Sequence, residues 1–206
     1  KIPVYPTHRS AAVPDEIYAA AKRSALHTTA VDGGNGLQNF ADSRYYAFPI
    51  PKNGQEVIWN HLTRYLGGSA KRLITQMTPQ VNGAFTTVHF EDDFASPSDI
   101  SDLDMEKGKN ILFYFKQRVT KPSRLAGSVL LLHETIDQTN EPRMAWLYNA
   151  GQRRVRRAPQ VAYDGPATAA DGMRTADNFG LFNGALDRYD WKLIGKKEMY
   201  IPYNSY

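Results

Sequence analysis

The strongest constraint on the fold comes from two short runs that are apolar at every position. Residues 111–115 read ILFYF and residues 129–132 read VLLL. Successive side chains of a β-strand point to opposite faces, so a strand with one wet face alternates apolar and polar residues. These runs do not alternate, and we expect both faces of their sheet to be covered. With about two helices available for one face, the other face packs on a second sheet or encloses a ligand.

Short runs of β-forming residues separated by turn residues continue from Lys71 to the end of the chain, which is typical of an antiparallel meander. The longest connections are an acidic loop at 99–106 and a Gly-, Ala- and Pro-rich loop at about 159–174. Long loops in a compact domain are usually functional or mobile. We predict strands near 71–79, 84–91, 110–119, 127–136, 143–149, 153–158 and 189–201.

The first third of the chain predicts two helices. One begins near Pro14, and the other covers about 54–66, with Asn53 as its cap and Glu56 as the capping-box partner. The fold class is therefore mainly β with a few helices (α+β), in one domain. That domain comprises a Pro/Gly-rich arm with one helix (1–52), a packing helix (53–68) and the antiparallel sheet (69–206).

The composition limits which kinds of site are available. The 206 residues include no Cys, which excludes disulfides, thiolate metal sites and thiol nucleophiles. Aromatic residues make up 12% of the chain, with 12 Tyr, which favours a lined cavity or an interface. The net charge of +4 suggests an anionic partner without identifying it.

Several segments resemble proteins of the Gram-negative cell envelope. The segment 143–159 places Trp146 and Tyr148 on one strand and a basic strand after it, and it resembles a hairpin of the outer-membrane lipoprotein-sorting proteins. The segments 6–10, 49–61 and 179–200 are similar to one uncharacterised family of exported proteins.

The resemblance implies a LolA/LolB-like half-barrel, which is a strongly curved antiparallel sheet closed by a helical lid. It also implies a location in the periplasm or at the outer membrane. An association with RND-type exporters of lipids or other hydrophobic molecules follows from the same resemblance. Members of the family look longer than this chain, so we expect the chain to be part of a longer protein.

Apolar side chains that alternate along neighbouring strands are candidates to line a hydrophobic cavity. Each methylene group of an acyl chain that leaves water contributes about 0.8 kcal/mol. Plain core packing is the alternative interpretation of the same residues. The candidate lining consists of Phe85, Phe113, Phe115, Leu130, Leu132, Met144, Trp146, Tyr148 and Trp191.

A short amphipathic helix is predicted over 175–182, and together with the residues before it this helix would act as a lid over the cavity. The apolar side of the lid would consist of Met173, Phe179, Leu181 and Phe182.

Four arginines surround Val155 on a predicted strand, and they are Arg153, Arg154, Arg156 and Arg157. Arginine forks match phosphate oxygens, so these residues are candidates to dock a lipid headgroup, a membrane surface or a protein partner. The alternative is a solvated edge strand whose charges block edge pairing. Alternation divides the four between two faces, so no continuous basic face arises and we expect no nucleic acid partner.

No group of residues indicates catalysis. The five His are far apart in the sequence and form no HxH or HExxH ligand pair. His89 and Glu91, which share a strand face, are the nearest approach to a metal or acid–base pair. We therefore predict no catalytic residue, no metal and no cofactor.

These observations predict a non-catalytic protein of the periplasm or outer membrane that carries or docks a lipid or other hydrophobic molecule. One alternative is a protein–protein interaction module of an envelope complex, bound to an exporter or an outer-membrane protein without a small ligand. A hydrolase of an apolar substrate is the other alternative, and it would need His89 or His133 beside a carboxylate in a pocket.

Overall fold

The computed structural model describes residues 2–6, 12–40, 44–104, 108–158, 161 and 163–202. The described residues form mainly β structure with two α-helices, as the sequence predicts. The elements in chain order are α1 (Asp15–His27), β1 (Thr29–Val31), β2 (Gly36–Gln38), α2 (Gly54–Leu62), β3 (Ala70–Pro79), β4 (Phe85–Ala95), β5 (Ile111–Lys121), β6 (Val129–Thr135), β7 (Met144–Asn149) and β8 (Arg154–Arg157).

Strands β3 to β8 form one six-stranded antiparallel sheet in which each strand pairs with its neighbours in the sequence. This order confirms the predicted meander. The outer strands are β3 and β8, and within the described residues they do not pair with each other, so the sheet is not closed. The short strands β1 and β2 form a separate antiparallel pair.

The two faces of the large sheet have different surroundings. We call the face that carries Phe115 and Leu132 the inner face, because residues 163–186, the covering segment, pack over it. The opposite, outer face carries Tyr114, His133 and Trp146, whose rings contact one another at centroid distances of 4.7 and 4.8 Å.

The expectation that both faces are covered holds for the inner face only. On the outer face Leu131 is 36% exposed and Leu73 is 81% exposed. Side chains on the outer face shield one another laterally, as the rings of Tyr114, His133 and Trp146 do. The same face also carries ion pairs of Glu91 with Lys71 and Arg118. Cross-strand packing of this kind makes a second layer unnecessary.

Helix α2 begins where the sequence predicts and ends earlier. The side chain of Asn53 accepts a hydrogen bond from the backbone N–H of Glu56 at 2.9 Å, which confirms the cap. The helix ends at Leu62 because Thr63 leaves helical geometry, and the Thr63 hydroxyl donates to the carbonyl of Trp59 at 2.7 Å. The predicted end near residue 66 is therefore wrong.

The largest core cluster forms around α2. Trp59 is 1% exposed, and its indole N–H donates to the carbonyl oxygen of Gly34 at 2.8 Å. Gly54 starts the helix against the backbone of Trp191, where a Cβ atom would lie only 2.5 Å from the Trp191 carbonyl carbon. The other buried members of the cluster are Leu37, Phe40, Ala47, Ile136 and Leu186.

Two predicted elements are absent from the described residues. The segment 189–201 is not a strand: Trp191 packs against Phe182, and residues 192–200 are exposed without strand partners. The segment 175–182 is not an amphipathic helix, since only Ala176–Asn178 form a short 3-10 turn. Buried Asp177 holds that turn by accepting hydrogen bonds from the hydroxyls of Thr175 and Tyr189.

Candidate binding cavity

A cavity of about 340 Å³ lies between the inner face of the sheet and the covering segment. We call it the main cavity. Its volume lies at the lower end of the range of small-molecule sites, which is about 300–1,000 Å³. The sheet contributes Phe94, Phe113, Phe115, Gln117, Leu130, Leu132 and Leu147. Arg143, which directly precedes β7, also lines the cavity, and the other side includes Val161, residues 165–168, Arg174, Phe179 and Asn183.

The apolar wall follows from the pairing register of four strands. Phe94 lies opposite Phe115, Phe115 lies opposite Leu132, and Leu132 lies opposite Ala145. Side chains of directly paired residues share a face. One row of apolar side chains therefore crosses β4 to β7 and forms the floor of the main cavity.

The covering segment is held together mainly by backbone hydrogen bonds. Pro166 and Thr175 form a β-bridge, and the N–H of Ala167 donates to the carbonyl of Arg174 at 3.0 Å. The Gln76 side chain reaches from β3 to donate to the carbonyl of Ala169. The segment is thus a small folded wall attached to the edge of the sheet.

A buried ion pair attaches the other end of the covering segment. Arg143 Nη2 lies 2.6 Å from Glu134 Oε2, and both side chains are almost fully buried. Arg143 also donates to the carbonyl of Val161 at 2.8 Å and to the side-chain oxygen of Asn183. Burial raises the pKa of Glu134, and the Arg143 guanidinium opposes that shift.

A second cavity of about 260 Å³, which we call the side cavity, shares part of its lining with the main cavity. The two have Phe94, Phe113, Phe179 and Asn183 in common, and α2 contributes Trp59 and Leu62 to the side cavity alone. A wider and more open depression, lined by Arg23, Lys109, Asp137 and Glu141 among others, shares none of these residues.

The structure brings four of the nine predicted lining residues together. Phe113, Phe115, Leu130 and Leu132 all line the main cavity. Phe85 does not, because it lies at the far end of β4 and is 62% exposed.

The other predicted lining residues do not line the main cavity, so that part of the prediction is wrong. Trp146 pairs with outer-face Leu131, which places Met144, Trp146 and Tyr148 on the outer face by strand alternation. Trp191 packs on the core around α2, and its indole N–H donates to the carbonyl of Leu186 at 3.0 Å.

The lid residues divide in the same way. Phe179 lines both cavities, and Phe182 lines the side cavity and packs against the core around α2. Met173 and Leu181 are mostly exposed and line neither cavity. The covering segment contains no α-helix among its described residues, so the prediction of a helical lid is wrong.

The four arginines of the basic hairpin lie outside both cavities. Arg153 belongs to the turn before β8 and has a positive φ of 52°, so the prediction that it lies on the strand is wrong. Arg154, Arg156 and Arg157 are exposed on β8, where Arg156 pairs with Leu147 and Arg157 pairs with Trp146. Pro159 lies outside the described residues, as do residues 7–10 of the envelope-family resemblance.

The histidines of the hydrolase alternative lie on the outer face. His89 Nδ1 is 3.0 Å from the hydroxyl of Thr75, whereas Glu91 forms ion pairs with Lys71 and Arg118. His133 packs between Tyr114 and Trp146, and burial lowers its pKa. Neither histidine lines the main or the side cavity.

No three His, Asp or Glu side chains among the described residues are grouped so that they could hold a metal ion. No helix among them has the length and apolar character required to span a bilayer.

Sequence signals could have identified some of the missed lining residues. Phe94 lies on the same side of β4 as Phe90 and Val88, which are buried, and its spacing to them matches one strand face. Arg143 and Arg174 carried no local signal that places them at a cavity, because Arg143 contacts Asn183 and Arg174 contacts Gln76, which are 40 and 98 residues away.

Comparison with known proteins identifies relatives of this chain. The uncharacterized protein PA3922 of Pseudomonas aeruginosa is 67% identical over 206 residues, which cover 100% of this chain and 45% of the relative. The chain thus spans about half the length of that relative.

A crystal structure of a DUF1329 family protein from Desulfovibrio piger aligns with 64% of this chain and 48% of that chain, at 16% identity and a TM-score of 0.40. At that score the alignment supports no argument about the fold. Neither relative is named as a lipoprotein-sorting protein, so that resemblance stays a prediction. The family model described as "Protein of unknown function (DUF1329)" matches residues 1–206, and this chain therefore belongs to the DUF1329 family.

Proposed function

We propose that this protein is a non-catalytic binding protein of the periplasm or outer membrane that carries a lipid or another hydrophobic molecule. The observation that carries the proposal is the main cavity, whose floor is a row of Phe and Leu side chains on the inner face. An apolar cavity with a few polar groups at its margin is the usual form of a small-molecule site.

The energetics favour a guest with a chain. Ten methylene groups transferred from water contribute about 8 kcal/mol in gross free energy, at about 0.8 kcal/mol each. Loss of translational and rotational freedom costs about 4–15 kcal/mol, which is of the same order. An apolar chain therefore needs further contacts to bind tightly, and Gln117, Arg174 and Asn183 supply polar groups at the cavity.

The fold is compatible with a LolA/LolB-like half-barrel. An open six-stranded antiparallel sheet with one face under a covering segment supports that assignment. In this proposal the covering segment takes the part expected of a helical lid. The location and the RND-type exporter as partner rest on the resemblance of the segments 6–10, 49–61, 143–159 and 179–200 to envelope proteins.

The test is titration with a fluorescent fatty-acyl probe. Phe115→Glu places a charge in the main cavity and should abolish binding, whereas Trp146→Glu changes the outer face and should leave the affinity within about twofold. Circular dichroism checks that both variants fold. If Phe115→Glu does not fold, Leu130→Trp, which fills the cavity without a charge, replaces it.

Two results would refute the carrier proposal. One is a wild-type protein that binds no acyl probe and carries no amphiphile when it is extracted from its host and weighed by native mass spectrometry. The other is a folded Phe115→Glu variant with wild-type affinity.

A second function is supported by a different surface. Arg157 lies opposite Trp146 on the outer face, where a protein partner could contact both, whereas Arg154 and Arg156 lie on the other side of β8. An interaction module would bind an exporter or outer-membrane protein there and hold no small ligand. Co-purification that is lost in Arg157→Glu, from a protein free of lipid, would favour this alternative.

A further inference from the structure

We propose that the main cavity selects amphiphiles with an anionic headgroup, a carboxylate or a phosphate, and that Arg174 binds this headgroup. The inference rests on the proposed carrier function and adds the class of ligand. It arises from a difference between the arginines that line the two cavities, because some of them have carboxylate partners and Arg174 does not.

Four arginines line the main and side cavities, and two of them have carboxylate partners. Arg143 pairs with Glu134, and Arg72 Nε lies 3.0 Å from Asp92 Oδ2. Gln117 also donates to Asp92, at 3.0 Å, so both carboxylates are already engaged by the protein.

Arg174 has no carboxylate partner among the described residues. Its guanidinium donates one hydrogen bond, to the neutral side-chain oxygen of Gln76 at 3.4 Å, and lies 5.5 Å from the ring centroid of Phe179. Burial lowers the pKa of Arg174, and no acidic group contributes to that shift. The residue therefore places a half-buried positive charge at an apolar cavity.

A guest with a negative headgroup would compensate this charge. A half-buried cation without a partner is costly, and a carboxylate or phosphate can accept two parallel hydrogen bonds from one guanidinium. A cationic headgroup would be repelled, and a neutral hydroxyl would leave the charge uncompensated. The ring of Phe179 beside the guanidinium would contact the first carbons of the chain.

Arg72 approaches the same ring from the side cavity. Its guanidinium lies 5.4 Å from the centroid of Phe179, and its Nη2 is buried without a hydrogen-bond partner among the described residues. The pairing with Asp92 neutralises Arg72, and Arg72 lines only the side cavity, so the net charge at the main cavity comes from Arg174.

Arg64 is the competing candidate. It lines the side cavity, donates to the carbonyl of His61 and has no carboxylate partner among the described residues. We assign the headgroup to Arg174 because Arg174 lines the main cavity and Arg64 does not. Arg174 lies beside the ring of Phe179, and Arg64 lies beside Gly180. Because these two positions are adjacent, a separate variant of each arginine is needed to distinguish their roles.

The experiment measures displacement of the uncharged fluorophore N-phenyl-1-naphthylamine by oleate, oleyl phosphate and oleyl alcohol. An ionic hydrogen bond of ordinary strength predicts that the wild-type protein binds an anionic competitor about ten- to hundredfold more tightly than the alcohol. The carboxylate and phosphate arms identify which of the two headgroups is preferred. In Arg174→Gln the anionic competitors should fall to the affinity of the alcohol, whose own affinity should not change.

Arg124→Gln is the matched control, since it removes an exposed arginine in the turn after β5 that lines neither cavity, and it should leave the preference intact. Equal affinities for alcohol and anions in the wild type would overturn this inference and leave the carrier proposal standing. A preference that survives Arg174→Gln and is lost in Arg64→Gln would overturn the assignment to Arg174. No binding of the fluorophore or of any competitor would instead refute the carrier function itself.

Discussion

Leu131 and Leu132 are consecutive residues of β6 that lie on opposite faces of the sheet. Leu132 is 8% exposed and lines the main cavity, whereas Leu131 is 36% exposed on the outer face. Their positions differ by one step of strand alternation. The same substitution at each of them therefore tests the cavity against a control of identical chemistry.

Leu132→Trp should fill part of the main cavity and weaken binding of an uncharged apolar fluorophore by about tenfold or more, because the added ring displaces the guest. Leu131→Trp should leave the dissociation constant within about twofold. Fluorescence titration of both variants, with melting curves to confirm folding, gives the comparison. Equal weakening by the two substitutions would mean that the fluorophore binds outside the main cavity.

The ion pair between Arg143 and Glu134 should contribute strongly to the stability of the fold at neutral pH. Arg143→Met leaves the carboxylate of Glu134 buried without its counter-ion, which costs about 3–5 kcal/mol in the free energy of unfolding. Urea denaturation at pH 7 measures this loss. A change below 1 kcal/mol would contradict the buried pairing.

The same variant should also acquire a characteristic pH dependence. Burial already raises the pKa of Glu134, and removal of Arg143 takes away the charge that opposes the rise. A carboxyl whose pKa is higher in the folded state stabilises the fold at low pH and loses that contribution as the pH increases. Arg143→Met should therefore be more stable at pH 5 than at pH 7, and Glu134→Gln/Arg143→Met should lack this dependence.

Glu91 should make the stability of the sheet sensitive to acid. Ion pairs with Lys71 and Arg118 lower the pKa of Glu91 to about 2, from an ordinary value of 4.5. The contribution of a carboxyl with a lowered pKa is present above its ordinary pKa and is lost as the pH falls toward the lowered value. Glu91→Gln should thus melt below the wild type at pH 7, and the difference should vanish between about pH 4.5 and 2.

Asp93→Asn serves as the comparison on the same strand. Asp93 pairs with one lysine, Lys116, and both side chains are partly exposed, so its removal should change the melting temperature less. A melting difference for Glu91→Gln that stays constant down to pH 2 would show that Glu91 acts through packing and not through its charge.

The sequence contained enough information to predict most of the sheet. The turn around Asn82 and Gly83 is a local signal, and the structure uses it: Gly83 has a positive φ of 82° and its N–H donates to the carbonyl of Gln80. The cap of α2 at Asn53 is likewise local and was predicted correctly. Signals of this kind depend on a few consecutive residues and need no knowledge of the rest of the fold.

The side of the sheet that faces the cavity could not be predicted. In β7 both Trp146 and Leu147 are suitable to line an apolar space, and the choice depends on where the covering segment packs. That segment is held by contacts such as the one between Gln76 and Ala169, which are 93 residues apart in the chain. The residue pattern of a single strand carries no information about such a distant contact.

The order of the strands has a consequence for how the cavity arises. Each strand of the large sheet pairs with the next one along the chain, so the sheet can form by successive hairpin closures of short range. The main cavity forms only when the covering segment, which comes late in the chain, packs against β3 through the hydrogen bond from Gln76 to Ala169. If the main cavity holds a guest as proposed, weakening this contact should release the guest and leave the sheet folded, so we expect loss of the guest and loss of the fold to be separable.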